Sequence, residues 1–139
     1  EGFEDGYRCS LVGPGEIVFA ATFKLRRADV ATVKSLAREF RSRREASQPL
    51  REATAGSVFK NPPGEAAGRL LDRCGVKGLE VGGARVSHVH ANFIVNDGEA
   101  SAADIGELMK LMAARVRERF GIELEPEVRL VGFREGSAA

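Results

Sequence analysis

The apolar positions change period several times along the chain, and each change marks an element. Ile17-Val18-Phe19-Ala20-Ala21-Thr22-Phe23-Lys24-Leu25 is rich in branched and aromatic residues. Its continuous apolar start predicts a strand buried on both faces, entered through a turn at Pro14 and Gly15. Helical spacing follows. Asp29 is the expected N-cap, and Val30, Val33, Leu36, Ala37 and Phe40 share one apolar face until Ser47-Gln48-Pro49 ends the helix. A short helix is predicted from Glu65 to Cys74, with Ala66, Ala67, Leu70 and Leu71 inward and Gly75 as its stop. The small residues Ala67 and Gly68 leave room for another element to approach closely. Val81 and Ala84-Arg85-Val86 read as strand pieces, and His90 to Asn96 as a strand closed by an Asn96-Asp97-Gly98 turn. Ser101 with Asp104 predicts a capping box. Ile105, Leu108, Met109, Met112, Val116 and Phe120 form the stripe of a long helix ended by Gly121. The methionines on that stripe are read as gap-filling core. Leu124 to Phe133 is predicted as a last strand, with Pro126 at its start or edge. Helices and strands alternate irregularly, which predicts an α+β layer fold with a small mixed sheet and packed helices.

Composition narrows the function classes. The 139 residues suffice for one domain, or one domain and part of another, and 43% of them are apolar, enough for a folded core. With 21 basic and 20 acidic residues the net charge is +1, which argues against a nucleic-acid or membrane-surface role. No apolar run has the length of a membrane span, and the first residues do not read as a secretory signal. Glu1 to Arg8 read as a loop entering from something upstream. Cys9 and Cys74 lie far apart without CxxC spacing, so buried free thiols and a reducing cytoplasm are expected. His88 and His90 have no further ligand cluster nearby, so no metal site is expected. Arg38, Arg41, Arg43 and Arg44 crowd the end of the first helix, a position the helix dipole favours, and read as a solvated basic end. Neither GxGxxG nor GxxxxGK[ST] occurs, so no phosphate loop is predicted.

The stretch with the most chemistry is Ala55-Gly56-Ser57-Val58-Phe59-Lys60-Asn61-Pro62. Gly56 permits a bend barred to other residues, and Pro62 and Pro63 fix the exit. Such a turn can hold the Ser57 hydroxyl at the lip of a pocket, or it can be an ordinary turn whose serine satisfies local backbone.

Several pieces of the chain occur together in one known family. The Tyr7-Arg8-Cys9-Ser10 segment, the Gly-Ser-Val-Phe-Lys-Asn-Pro turn, the Ala-Gly-Arg-Leu-Leu-Asp helix, Gly82-Gly83-Ala84, His90-Ala91-Asn92-Phe93 and Glu125-Pro126-Glu127-Val128-Arg129 follow in one order. Together they resemble the UDP-N-acetylenolpyruvoylglucosamine reductases, also called UDP-N-acetylmuramate dehydrogenases, over nearly the whole chain. The resemblance implies an oxidoreductase of peptidoglycan and cell-wall biosynthesis in the bacterial cytoplasm. NADPH reduces FAD, and the reduced flavin passes hydride to the vinyl carbon of UDP-N-acetylglucosamine enolpyruvate. An enolate-like intermediate is a strong base, so an aimed serine can protonate it if its surroundings stabilise the departing charge. By resemblance Ser57 is that acid. Arg8 holds the substrate carboxylate through its forked donors, and Glu127 is the catalytic glutamate. Asn61 and His90 fall where the family contacts substrate, and Lys60 can meet a phosphate from the same turn. On the residues alone, Glu125 rivals Glu127, Arg8 could cap a loop carbonyl, His90 could be a satisfied strand histidine, and Lys60 a solvated charge. The 49 positions from Arg8 to Ser57 leave little space for the extra tyrosine-bearing loop of one class, which points to the shorter class.

The resemblance also implies an organisation. Residues 1–26 are expected to be the tail of a flavin domain, 27–122 the substrate-binding domain, and 123–139 a strand returning to the flavin domain with a short tail. The glycine-rich segments that cradle FAD phosphates in the family have no counterpart here. The chain is therefore expected to be inactive alone, and to need the missing flavin domain or a complementary chain as partner. A non-catalytic module that binds a nucleotide sugar is the first alternative. A Ser57-His90-Glu127 hydrolase is the second, although GxSxG is absent.

Overall fold

A computed structural model describes residues 7–8, 12–13 and 15–132. Cys9, Ser10, Pro14 and the end of the last expected strand at Phe133 lie outside the described residues, as does most of the Glu1–Arg8 loop. The chain divides into two units, Glu1–Ser35 and Leu36–Ala139.

In the first unit, residues 17–25 form no strand. An extended segment becomes a strand only when a neighbour takes up its N–H and C=O groups, and no described residue pairs with it. Its apolar side chains are exposed, Phe19 fully so at 99%. Helix α1 (Val30–Ser47) begins where the sequence predicts. Asp29 accepts the backbone N–H groups of Ala31 and Thr32 at 3.1 and 2.8 Å. The Thr32 bonds in particular hold its carboxyl below the usual range. The apolar stripe of α1 is not buried: no residue of the helix is. The period was right for a helix, but burial depends on a covering surface that no local pattern encodes.

The second unit is built on a four-stranded sheet of β1 (Thr54–Ser57), β2 (Glu80–Val81), β3 (Ala84–Val86) and β4 (Phe93–Asn96), in the order β1-β4-β3-β2. The α+β class holds. Every ladder is antiparallel, where a mixed sheet was expected. The β2–β3 and β3–β4 links are too short for the dozen-residue crossover that parallel strands require. Arg85 pairs with Val95, and Val86 with Ile94. Ala84, Val86, Ile94 and Val58 join one apolar cluster with Leu70 and Leu71 of α2 (Ala67–Arg73) and with Leu108, Met112 and Val116 of α3 (Ala102–Phe120). Met109 and Met112 are buried, as core methionines should be. The capping box of α3 is present: the Ser101 hydroxyl accepts from Asp104 N–H at 3.1 Å, and the Asp104 carboxylate accepts from Ser101 N–H at 2.8 Å. Gly121 ends that helix in the left-handed region, φ 68°.

The last strand is shorter than predicted. Among the described residues only an isolated bridge remains of it, Pro126 opposite Phe59, just past the end of β1. Lys60 N–H donates to Glu125 C=O at 2.9 Å and Glu127 N–H to Val58 C=O at 2.8 Å. These bonds flank the Phe59–Pro126 pair and need no N–H from the proline, so the segment pairs without loss there. Beyond Val128 no ladder continues among the described residues.

Candidate functional site

Ser57 ends a strand where a turn was expected. The β1–β4 register shifts between Thr54↔Val95 and Ser57↔Phe93, so β1 carries one extra residue. Gly56 absorbs this bulge at φ 89°, a conformation costly for any residue with a Cβ. The bulge re-aims the chain, and half-buried Ser57 opens into a cleft of about 510 Å³. Asn61 and His90 line the same cleft, together with Arg69, Asp72 and Lys77. Three residues singled out in the sequence thus meet on one surface, although 33 positions separate the first from the last.

Each wall has a local cause. The Asn61 side-chain Oδ1 accepts the N–H of Ala67 at 3.0 Å and so fastens the Ser57 segment to the start of α2. Helix α2 buries Leu70 and Leu71 and turns Arg69 and Asp72 outward. Lys77 follows the Gly75 stop and pairs with Asp72 at 2.8 Å. His90 lies against α2 at Gly68, where an added Cβ would stand 2.7 Å from its Cε1. The small residue at 68 is therefore what seats the imidazole, and an edge-on contact with Phe93 at 4.9 Å completes its bed. Arg69, Asp72 and Lys77 were missed in the sequence. The signal for Arg69 and Asp72 was the polar side of a short amphipathic helix next to the serine segment; Lys77, on the loop after it, had none.

The remaining predicted residues stand elsewhere. Lys60 does not line the cleft, and its ammonium pairs with the Glu125 carboxylate. Glu127 is half-buried, with its N–H on the carbonyl of Val58, the neighbour of Ser57, and it is not among the cleft walls. Arg8 belongs to the first unit, where its backbone is left-handed at φ 59° and its guanidinium lies 5.7 Å from the Tyr7 ring centre. Cys74 is a free, half-buried thiol whose Sγ meets the Arg115 carbonyl at 3.4 Å, and burial raises its pKa. No group of three metal-ligating side chains occurs among the described residues. No described helix is long and apolar enough to cross a membrane.

The state of His90 decides between chemistries. Its Nδ1 accepts the N–H of Asn92 at 3.1 Å, so the neutral ring carries its proton on Nε2. A hydrolytic triad needs the opposite tautomer, with Nε2 bare to receive the serine proton. The Ser57-His90-Glu127 hydrolase is therefore not supported by this geometry. Burial first, and then the Lys77 charge, lower the His90 pKa below 6.5. As pH falls, the unfolded chain takes up this proton before the folded one does. Stability should therefore decline in the window just under pH 6.5 and level off below the folded value. Urea midpoints from pH 7.5 to 5 should show that decline, and His90→Gln should remove it; equal profiles would mean that His90 does not titrate in this window.

The donor set of the cleft also says what fits it. Two cations, a carboxamide, a hydroxyl and an imidazole N–H suit phosphate and sugar oxygens.

Comparison with known proteins agrees with the motifs. A sequence family described as UDP-N-acetylenolpyruvoylglucosamine reductase, C-terminal domain, matches residues 48–131. The UDP-N-acetylenolpyruvoylglucosamine reductase of Anaeromyxobacter dehalogenans is 54% identical over 126 residues, covering 91% of this chain and 38% of its own length. That of Nitrobacter hamburgensis is 44% identical over 132 residues, covering 95% of this chain and 43% of its own. The crystal structure of UDP-N-acetylenolpyruvylglucosamine reductase (MurB) from Thermus caldophilus superimposes with a TM-score of 0.75 at 43% identity, over 92% of this chain and 46% of the other. The chain thus spans about two fifths of the length of these curated relatives. With its motifs and fold in agreement, the chain belongs to the UDP-N-acetylenolpyruvoylglucosamine reductase family, whose C-terminal domain it matches over residues 48–131.

Proposed function

We propose that this chain is the substrate-binding part of a reductase that converts UDP-N-acetylglucosamine enolpyruvate to UDP-N-acetylmuramate in the cytoplasm, for peptidoglycan synthesis. The reaction is NADPH-dependent and FAD-mediated, and both cofactors belong to the portion of the relatives' length that this chain does not span. In the proposed arrangement residues 1–26 and 123–139 contact that portion, and 27–122 carry the substrate. The observation that carries the reading is the convergence of Ser57, Asn61 and His90 on one cleft that also holds Arg69 and Lys77. The cations neutralise the diphosphate, and the His90 Nε2–H donates to an acceptor oxygen. The Ser57 hydroxyl delivers the proton to the carbon beside the new C–H bond. Arg8 and Glu127 complete the site, the first on the substrate carboxylate and the second in support of proton delivery.

Titration of UDP-N-acetylglucosamine enolpyruvate into the chain, followed by calorimetry, tests this. Saturable binding is expected, and Lys77→Ala should weaken it roughly tenfold, the worth of one charge-assisted hydrogen bond. No saturable binding, or an unchanged affinity in the variant, would count against the cleft. Binding without turnover, after a family flavin domain is supplied, would favour the non-catalytic module.

A further inference from the structure

Asn92 is buried, at 3% exposure, and spends its whole carboxamide on one backbone residue. Its Oδ1 accepts the N–H of Phe59 at 3.0 Å, and its Nδ2 donates to the C=O of Phe59 at 2.9 Å. The side chain thus imitates one residue of a neighbouring strand. Its main chain makes two more bonds: the C=O accepts from Val58 N–H at 2.9 Å, and the N–H donates to His90 Nδ1 at 3.1 Å. All four bonds act on pieces of one cleft. Val58 and Phe59 lie between Ser57 and Asn61, just past the bulge, where the regular β1–β4 ladder has ended. His90 lines the same cleft.

We propose that Asn92 is the positioning residue of this cleft: its carboxamide pins the Ser57–Asn61 segment, and its backbone N–H sets the His90 tautomer. Hydroxyl, carboxamide and imidazole then face a bound nucleotide sugar as one prearranged set. The proposal rests on the reading of the cleft given above. It has a chemical consequence. A ring fixed with its proton on Nε2 offers the ligand a donor and no acceptor, so it selects an oxygen acceptor such as a carbonyl or phosphate oxygen. Loss of the carboxamide would leave the Phe59 N–H and C=O buried and unpaired, and the segment would shift to satisfy them.

The 139-residue chain itself serves for the test. Nitrogen-15 spectra of the imidazoles, taken without ligand, should show His90 of the native chain in the Nε2–H form. In Asn92→Ala the backbone N–H at position 92 remains, so His90 should keep the Nε2–H form, while the unpinned Ser57–Asn61 segment should raise the dissociation constant for UDP-N-acetylglucosamine enolpyruvate roughly tenfold. Asn92→Asp keeps the acceptor for Phe59 N–H and loses the donor to its carbonyl, and it too should weaken binding without changing the tautomer. If the alanine variant does not fold, the aspartate variant decides. A folded variant of unchanged affinity overturns the proposal, and so does a native His90 found in the Nδ1–H form. Should the native chain bind no nucleotide sugar, the functional reading fails, while ligand-free amide spectra still decide what the carboxamide does: the signals of residues 58–61 should move in both variants, and unmoved signals overturn the proposal.

Discussion

Ser57→Ala, made in a protein of the relatives' full length, should lower the turnover of UDP-N-acetylglucosamine enolpyruvate by about 10²–10⁴-fold, the usual worth of a positioned general acid. The affinity for the nucleotide sugar should change less than about threefold, since a neutral hydroxyl adds little to binding already led by two cations. The reason lies in the backbone. The Gly56 bulge places the hydroxyl at the cleft instead of letting it lie along the strand. Steady-state oxidation of NADPH with the enolpyruvyl substrate, and separately with a dye as electron acceptor, makes the comparison. Loss with the substrate and not with the dye assigns the proton step to Ser57. Equal rates in variant and native protein would remove the residue from the mechanism.

Leu71→Ala should destabilise the second unit by about 2–5 kcal/mol, the range for a buried leucine that leaves a cavity behind. Leu71 is fully buried in the cluster shared by the sheet, α2 and α3. Helix α2 has only seven residues, its N-cap Ala66 supplies no side-chain bond, and one distant side chain, Asn61, meets a single N–H of its first turn, so packing is what chiefly holds it. The same helix carries Gly68, Arg69 and Asp72 into the cleft wall. The variant should therefore lose nucleotide-sugar affinity as well as stability, although Leu71 does not touch the cleft. Urea unfolding and the same calorimetric titration measure both. A loss below about 1 kcal/mol would mean that α2 is held by something other than this contact.

Local chemistry was legible wherever a short stretch of chain answers to its own neighbours. The Asp29 cap, the Ser101–Asp104 box and the Gly121 stop depend on residues within one turn of each other, and all three are present. The α3 stripe was legible because a helix of 19 residues repeats its period often enough to show which side is buried. The failures have the opposite character. Residues 17–25 have strand composition, but a strand is completed by its partner. The α1 stripe has helical period, but a stripe is buried only if something lies over it. The stretch around Ser57 was read as a turn because Gly56 permits one. The pairing with β4 makes it a bulged strand instead.

The cleft divides in the same way. Ser57, Asn61 and His90 were named from motifs, and they do share one surface. Their seating on Gly68 and Asn92 was invisible, because Gly68 matters only through its distance to His90, and Asn92 through its bonds to Phe59. Lys60 and Lys77 show the limit most plainly. Both are lysines on loops beside the serine segment, and nothing local separates them. Glu125, 65 positions from Lys60, occupies the first, and the end of α2 turns the second into the cleft. Residue types, caps, periods and family were therefore readable from the order of amino acids, since each depends on neighbours along the chain. Which cation faces the cleft, which histidine nitrogen holds the proton and where the serine points were settled by folding, because each depends on atoms that only packing brings within 3 or 4 Å.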